Sequence, residues 1–119
     1  MYFSDSHEWV KVEEDIATIG ISFFAQKELG EIVYIQLPKI GQKIKAKQEC
    51  VIVESTKAAT DLYTPISGEV IAVNDALYSN LKLINEDPEH HGWMVKIKIQ
   101  DSSELKELMS LEQYQKLIF

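Results

Sequence analysis

The chain has 119 residues, 45% hydrophobic and 26% charged, which excludes an intrinsically disordered polymer and fits one compact domain. Its 19 acidic residues outweigh 12 basic ones, all lysine, for a net charge of −7; that balance argues against nucleic acid and anionic membranes as partners. A single cysteine, Cys50, excludes an intrachain disulfide and fits a reducing compartment.

Helical periodicity is scarce until the end of the chain, and turn signals are frequent. Trp9 to Glu13 reads as a strand, a polar turn follows at Glu13-Glu14-Asp15, and the alternating Ile16 to Ile21 reads as the hairpin partner. Phe24 to Leu29 holds good helix formers and stops at Gly30, which predicts one short helix. Glu31 to Leu37 is rich in β-branched and aromatic residues and reads as a strand punctuated by Pro38 and Gly41. A short extended segment at Ile44 and a strand over Cys50 to Glu54 come next. Ala59 to Tyr63 leads to the breaker Pro65, and Gly68 to Val73 reads as a further strand.

Asn74 to His91 reads as a long irregular connection, and Trp93 to Ile99 alternates as a strand. Gly30-Glu31-Ile32-Val33 recurs as Gly68-Glu69-Val70-Ile71, a short internal repeat whose halves meet near Lys57. The core spans about residues 10–100. The tail, 101–119, changes to helical character: Asp101 to Glu104 offers caps, and Ser110 with Gln113 fits a capping box ahead of Tyr114, Leu117 and Ile118. Such a tail would cover one end of a β core.

No catalytic constellation emerges. His7 and Glu8 are neighbours, and in a strand they point to opposite faces. The same alternation separates His90 from His91, and with no third ligand at a known spacing no metal site is expected. Cys50 lies in an apolar strand and reads as a buried small hydrophobe. The chain holds no glycine-rich phosphate loop, and no enzyme activity is expected. Lys57 stands apart: it falls at an expected hairpin tip between small neighbours, within reach of a modifying enzyme. Taken by itself a turn lysine is most often a solvated surface charge; the alternative is attachment of a long acyl group, since a protruding lysine on a rigid β scaffold suits a tethered carrier whose reactive head moves between active sites at high local concentration.

Around Lys57, Glu54-Ser55-Thr56-Lys57-Ala58-Ala59-Thr60-Asp61 and Thr64-Pro65-Ile66-Ser67-Gly68-Glu69-Val70 resemble the lipoylation segment of the glycine cleavage system H protein family. That family's pattern is close to E-S-x-K-A-x-S/T-D followed by S/T-P-x-S-G-E-V. The resemblance covers the whole chain: Ser6-His7-Glu8-Trp9-Val10, Ala17 to Ile21, Leu29 to Val33, Leu37-Pro38, Leu83-Ile84-Asn85, Gly92 to Lys98 and the acidic tail follow in order. Biotinyl carriers and the lipoyl domains of 2-oxo acid dehydrogenases fit less well, since Thr56 precedes the lysine here and neither has the Ser6 to Trp9 segment.

The resemblance implies a mainly β fold: a lipoyl/biotinyl-type barrel-sandwich hybrid of two antiparallel sheets, with a short helix near 24–29 and C-terminal helices, in a single domain over 1–119. It implies lipoate attached to Lys57 and an arm that carries the aminomethyl group of glycine. The implied partners are glycine decarboxylase, aminomethyltransferase, dihydrolipoyl dehydrogenase, and a lipoate ligase or a lipoyl/octanoyl transferase. Ser6, Glu8 and Asp61 match the positions that dock the loaded arm. A monomer in the bacterial cytoplasm is expected, because the start of the chain lacks signal or transit features. The alternative is an H-like relay that supplies lipoate to 2-oxo acid dehydrogenase subunits without processing glycine. Among departures from the family pattern, Lys47 replaces a usual glycine, Glu28 takes a position that can hold a histidine lining the arm cleft, Ser22-Phe23-Phe24 loses an acid, and Glu89-His90-His91-Gly92 replaces an acidic or glycine-rich turn.

Overall fold

The computed structural model describes all 119 residues and contains nine strands, four α-helices and one 3-10 helix. The strands are β1 (Tyr2–Phe3), β2 (Glu8–Glu13), β3 (Ile16–Ile21), β4 (Ile32–Gln36), β5 (Lys43–Ile44), β6 (Glu49–Ser55), β7 (Ala59–Tyr63), β8 (Gly68–Val73) and β9 (Val95–Ile99). They form a six-stranded sheet in the order β1-β2-β3-β9-β8-β5 and a three-stranded sheet in the order β4-β6-β7. Every pairing is antiparallel. The expected two-sheet β architecture is therefore present.

The inner faces of the two sheets meet in a core of 19 buried residues, among them Val10, Ile19, Ile35, Val53, Leu62 and Ile97. Side chains on a strand alternate between faces, which splits β2: Val10 joins the core, while Trp9 turns outward into a second cluster with Phe3 and Tyr114. Trp9 lies opposite Gly20 across the β2–β3 ladder, and a Cβ at Gly20 would sit 2.8 Å from the indole nitrogen. Gly20 is thus the space that the indole ring occupies.

The internal repeat is geometric as well as sequential. β4 pairs with β6 and β8 pairs with β9, and each pair is broken by a register shift, between Ile32 and Tyr34 in one and between Val70 and Ala72 in the other. The skipped residues, Val33 and Ile71, each lie three positions after the repeat glycine. A bulge at matched positions bends both strands alike and lets the sheets curl over a shared core.

Helix α1 (Phe23–Leu29) begins at Ser22, whose hydroxyl accepts from the Ala25 amide, and ends at Gly30, as its sequence predicts. The reading of 74–91 as irregular needs correction: α2 (Ala76–Ser79) and α3 (Lys82–Glu86) lie there and bury Leu77 and Ile84. Neither has a side-chain N-cap, and four or five residues are too few to show periodicity. Burial against the core holds them, since helices this short are unstable alone. The tail is also refined: Ser102–Glu107 is a 3-10 helix capped by Asp101, and α4 (Leu111–Ile118) carries the expected Ser110/Gln113 capping box. β1 had no signal in the sequence; it pairs with β2 and bridges from Phe3 to Met109, so the tail and the N-terminus are fixed together.

Candidate functional site

Lys57 is exposed at the tip of the β6–β7 hairpin, whose last ladder pair is Glu54 with Ala59. Ser55 builds the tip locally. Its hydroxyl oxygen accepts from the amides of Lys57 and Ala58, both at 3.1 Å, and the Ser55 amide donates to the Ala58 carbonyl at 2.8 Å. The Thr56 amide donates to the Glu31 carbonyl at 3.0 Å, which ties the tip to the start of β4. The Lys57 side chain runs over Gly30: a Cβ built there would lie 3.2 Å from Lys57 Cε and 3.6 Å from Nζ. Gly30 also has φ +81° and ψ −158°, backbone that side-chain-bearing residues rarely adopt. It therefore serves both the helix stop and the lysine's path.

Between α1 and the β6–β7 hairpin lies a cleft of about 350 Å³, walled by Ser6, His7 and Glu8 before and in β2, by Phe24, Ala25, Glu28 and Leu29 of α1, by Ile21 and Val53, and by Thr60, Asp61 and Leu62 of β7. The three residues expected to dock the arm, Ser6, Glu8 and Asp61, thus line one cavity, although Glu8 and Asp61 lie far apart in the chain. The lining carries three carboxylates (Glu8, Glu28 and Asp61) and no lysine, so its chemistry suits a cation.

Glu8 is only 3% exposed. Its Oε1 accepts from the hydroxyls of Ser4 and Ser6, each at 2.5 Å. The backbone closes around it: the Ser4 amide donates to the Glu8 carbonyl at 2.9 Å, and the Glu8 amide donates to Ser4 Oγ at 3.0 Å. Burial pushes the Glu8 carboxyl above the ordinary range, because an ion is poorly solvated there; the Ser4 and Ser6 hydroxyls pull it partly back. A second cavity of about 260 Å³ flanks the same glutamate, between Ser4, Lys47, Tyr63 and Glu107.

The expected divergence of His7 and Glu8 does not hold. His7 stands before β2 with φ 73°, in left-handed backbone outside the strand, and both residues face the cleft. His7 still forms no pair with Glu8. Its Nδ1 lies 2.8 Å from the hydroxyl of Tyr114, which is also 2.6 Å from Ser22 Oγ, so α4 reaches the cleft wall through His7. Glu28, at a position that the resemblance places along the arm cleft, does line it. Its role as a third acid in the cleft follows from helical spacing, which puts Phe24, Ala25, Glu28 and Leu29 on one face. Ser4 carried no signal. Cys50 is buried and its thiol is pushed up to about 12, mainly by burial, so it stays protonated and inert near neutral pH. Lys47, in place of a usual glycine, has φ 71°, which explains why glycine suits that turn.

The alternation argument also fails at His90 and His91. They lie in a turn after α3, and the Nδ1 atoms of both rings approach the same oxygen of Asp87.

Comparison with known proteins gives the family. The family model described as "Glycine cleavage H-protein" matches residues 1–119. A glycine cleavage system H protein from Carboxydothermus hydrogenoformans is 50% identical over 116 residues, covering 98% of this chain and 89% of that protein. Another, from Thermotoga maritima, is 42% identical over 113 residues, covering 95% and 91% of the two chains. The crystal structure of a glycine cleavage system H protein from Mycobacterium marinum superposes with a TM-score of 0.91 at 29% identity, over 98% of this chain and 94% of that one. The whole-length match, the shared two-sheet fold and the hairpin-tip lysine lead to one conclusion: the chain belongs to the glycine cleavage H-protein family.

Proposed function

We infer that the chain is the lipoyl carrier protein of the glycine cleavage system, a shuttle shared by the other components of that system and not itself a catalyst. The observation that carries the reading is the pairing of an exposed hairpin-tip lysine with an acidic cleft that strand β7 of the same hairpin lines. Lys57 is the attachment residue. Its small neighbours Ser55, Ala58 and Ala59 leave the amine open to a lipoate ligase or a lipoyl/octanoyl transferase, and Gly30 leaves room beside its stem. Lipoate in amide linkage to Lys57 supplies a disulfide whose reduced form carries the aminomethyl group of glycine between the decarboxylase, the aminomethyltransferase and the dihydrolipoyl dehydrogenase.

The chain's own residues then hold and shelter a cationic amine. Glu8 and Asp61 provide negative charge inside a partly enclosed cleft, where a charge-assisted contact is stronger than in open water. Ser4 and Ser6 fix the Glu8 carboxylate in one orientation before the amine arrives. Phe24, Leu29 and Leu62 line the apolar part of the cleft and limit the access of water to the amine. No helix is long and apolar enough to cross a membrane. A monomer acting in the bacterial cytoplasm completes the reading. The named relatives give the relay alternative no support.

Peptide mass mapping of the protein from a lipoate-making host tests the reading. A lipoyl increment on Lys57 is the expected result, followed by carrier-dependent exchange of labelled carbon dioxide into glycine when the decarboxylase is added. An unmodified Lys57 in such cells overturns it.

A further inference from the structure

We propose that Asp87, His90 and His91 form a surface site for one divalent transition-metal ion of the zinc type, apart from the arm cleft. His91 Nδ1 lies 2.6 Å from Asp87 Oδ2, and His90 Nδ1 lies 3.5 Å from the same oxygen. The two imidazole rings stand 4.2 Å apart, and one ligand atom from each of the three residues fits within 4.8 Å of the others. A hydrogen bond within the turn accounts for His91. It does not account for His90, whose exposed ring has open solvent to turn into and yet converges on the same carboxylate.

The backbone under the site is firmly held. The amides of His91 and Gly92 donate to Asp87, at 3.1 Å to Oδ2 and at 2.8 Å to the carbonyl. The Pro88 carbonyl accepts from the Trp9 indole at 2.9 Å, and the Asn74 amide group donates to the His91 carbonyl at 3.0 Å. The ligands therefore start from a scaffold anchored to the core, while the exposed side chains remain free to adjust.

The donor set of two imidazoles and one carboxylate suits zinc, copper or nickel over calcium or magnesium, which favour all-oxygen sites. A tetrahedral zinc ion with ligands at its usual lengths needs donor atoms about 3.3 Å apart. His90 and Asp87 are already near that spacing, and a small rotation of the exposed His91 opens the 2.6 Å contact to match. The ion replaces the His91 Nδ1–Asp87 hydrogen bond, and the neutral imidazole that binds it through Nδ1 holds its single ring proton on Nε2. Solvent fills the remaining coordination, so the site is an open one. The buried thiol of Cys50 cannot compete.

The test uses the full chain with Lys57 unmodified, so that no arm sulfur acts as a ligand. Titration calorimetry with zinc chloride should give one ion per chain, undiminished by excess magnesium. His90→Ala and, separately, His91→Gln should each weaken binding by about tenfold or more, equal to about 1.4 kcal/mol, with an unchanged melting temperature. Nickel should broaden the amide resonances of residues 87–93 before any others. No saturable zinc binding, binding by both variants as tight as by the parent chain, or broadening centred on the acidic cleft would each overturn the proposal.

Discussion

The hairpin tip and the N-terminal turn that holds Glu8 serve the same proposed arm, yet they are built in opposite ways. The tip is local. Ser55 caps it through residues two and three positions on, and the lysine needs only exposure. The Glu8 turn is buried and cooperative: two serines, a strand end, a helix and the β6–β7 hairpin converge on one carboxylate. A modification site must be open to an enzyme, whereas a cation site gains strength from being partly dry. Changes at the tip should therefore alter chemistry with little effect on stability, and changes around the cleft should alter both.

Lys57→Ala sets one end of that contrast. Lipoylation and all glycine-dependent turnover should disappear, while the melting temperature stays within what about 0.5 kcal/mol would move, as for other exposed positions. A variant still lipoylated, by intact mass, would place attachment elsewhere.

Glu8→Gln should act on both properties. Losing a charge-assisted contact of about 1.5–3 kcal/mol should speed ammonia loss from the glycine-loaded carrier by about 10- to 100-fold. Its stability effect has the opposite sign. Burial raises the Glu8 carboxyl, so the folded chain keeps a proton that the unfolded chain releases as pH rises. Stability linked to Glu8 is thus present at low pH and lost as pH climbs through the raised value. The glutamine variant, relieved of that loss, should melt relatively higher near neutral pH than in mild acid. Parallel melting curves for the two proteins across pH would remove the buried-charge explanation.

Gly30→Ala probes the junction between the two regions. Its backbone conformation and the lysine stem 3.2 Å from a new Cβ both oppose the change. A loss of about 1–3 kcal/mol is expected from denaturant titration, with slower lipoylation of Lys57. Lys47→Gly should give the smallest effect. Relief of left-handed backbone at φ 71° should raise stability by up to about 1 kcal/mol, leaving lipoylation unchanged. A fall in stability would mean that Lys47 makes up for its backbone elsewhere.

Much of this protein is legible in the order of its residues. Alternation marks β2, β3 and β9, a glycine ends α1, a serine–glutamine pair opens α4, and the repeated Gly-Glu motif marks two matched, bulged strands. These are short-range effects, decided by neighbours within a few positions. The segments that resisted are those whose reasons lie far away in the chain. α2 and α3 exist because Leu77 and Ile84 find a core to enter, and β1 exists because the tail returns to it at Met109.

The same divide runs through the candidate site. The exposure of Lys57 was legible in its own segment, because a turn with small residues on either side presents its lysine wherever the hairpin sits; its role as the attachment residue came from the resemblance. Ser6, Glu8 and Asp61 were nameable only by resemblance. That they share a cleft with Glu28 and His7 depends on how the β6–β7 hairpin packs against β2 and α1. The reading of adjacent residues as opposed failed twice, at His7 and at His91, because strand alternation was applied to turns. Composition and local pattern determined the strands, the caps and the exposed lysine. Only the tertiary structure decided which acids meet, since side chains distant in sequence are brought together by packing of the two sheets and not by any rule of spacing.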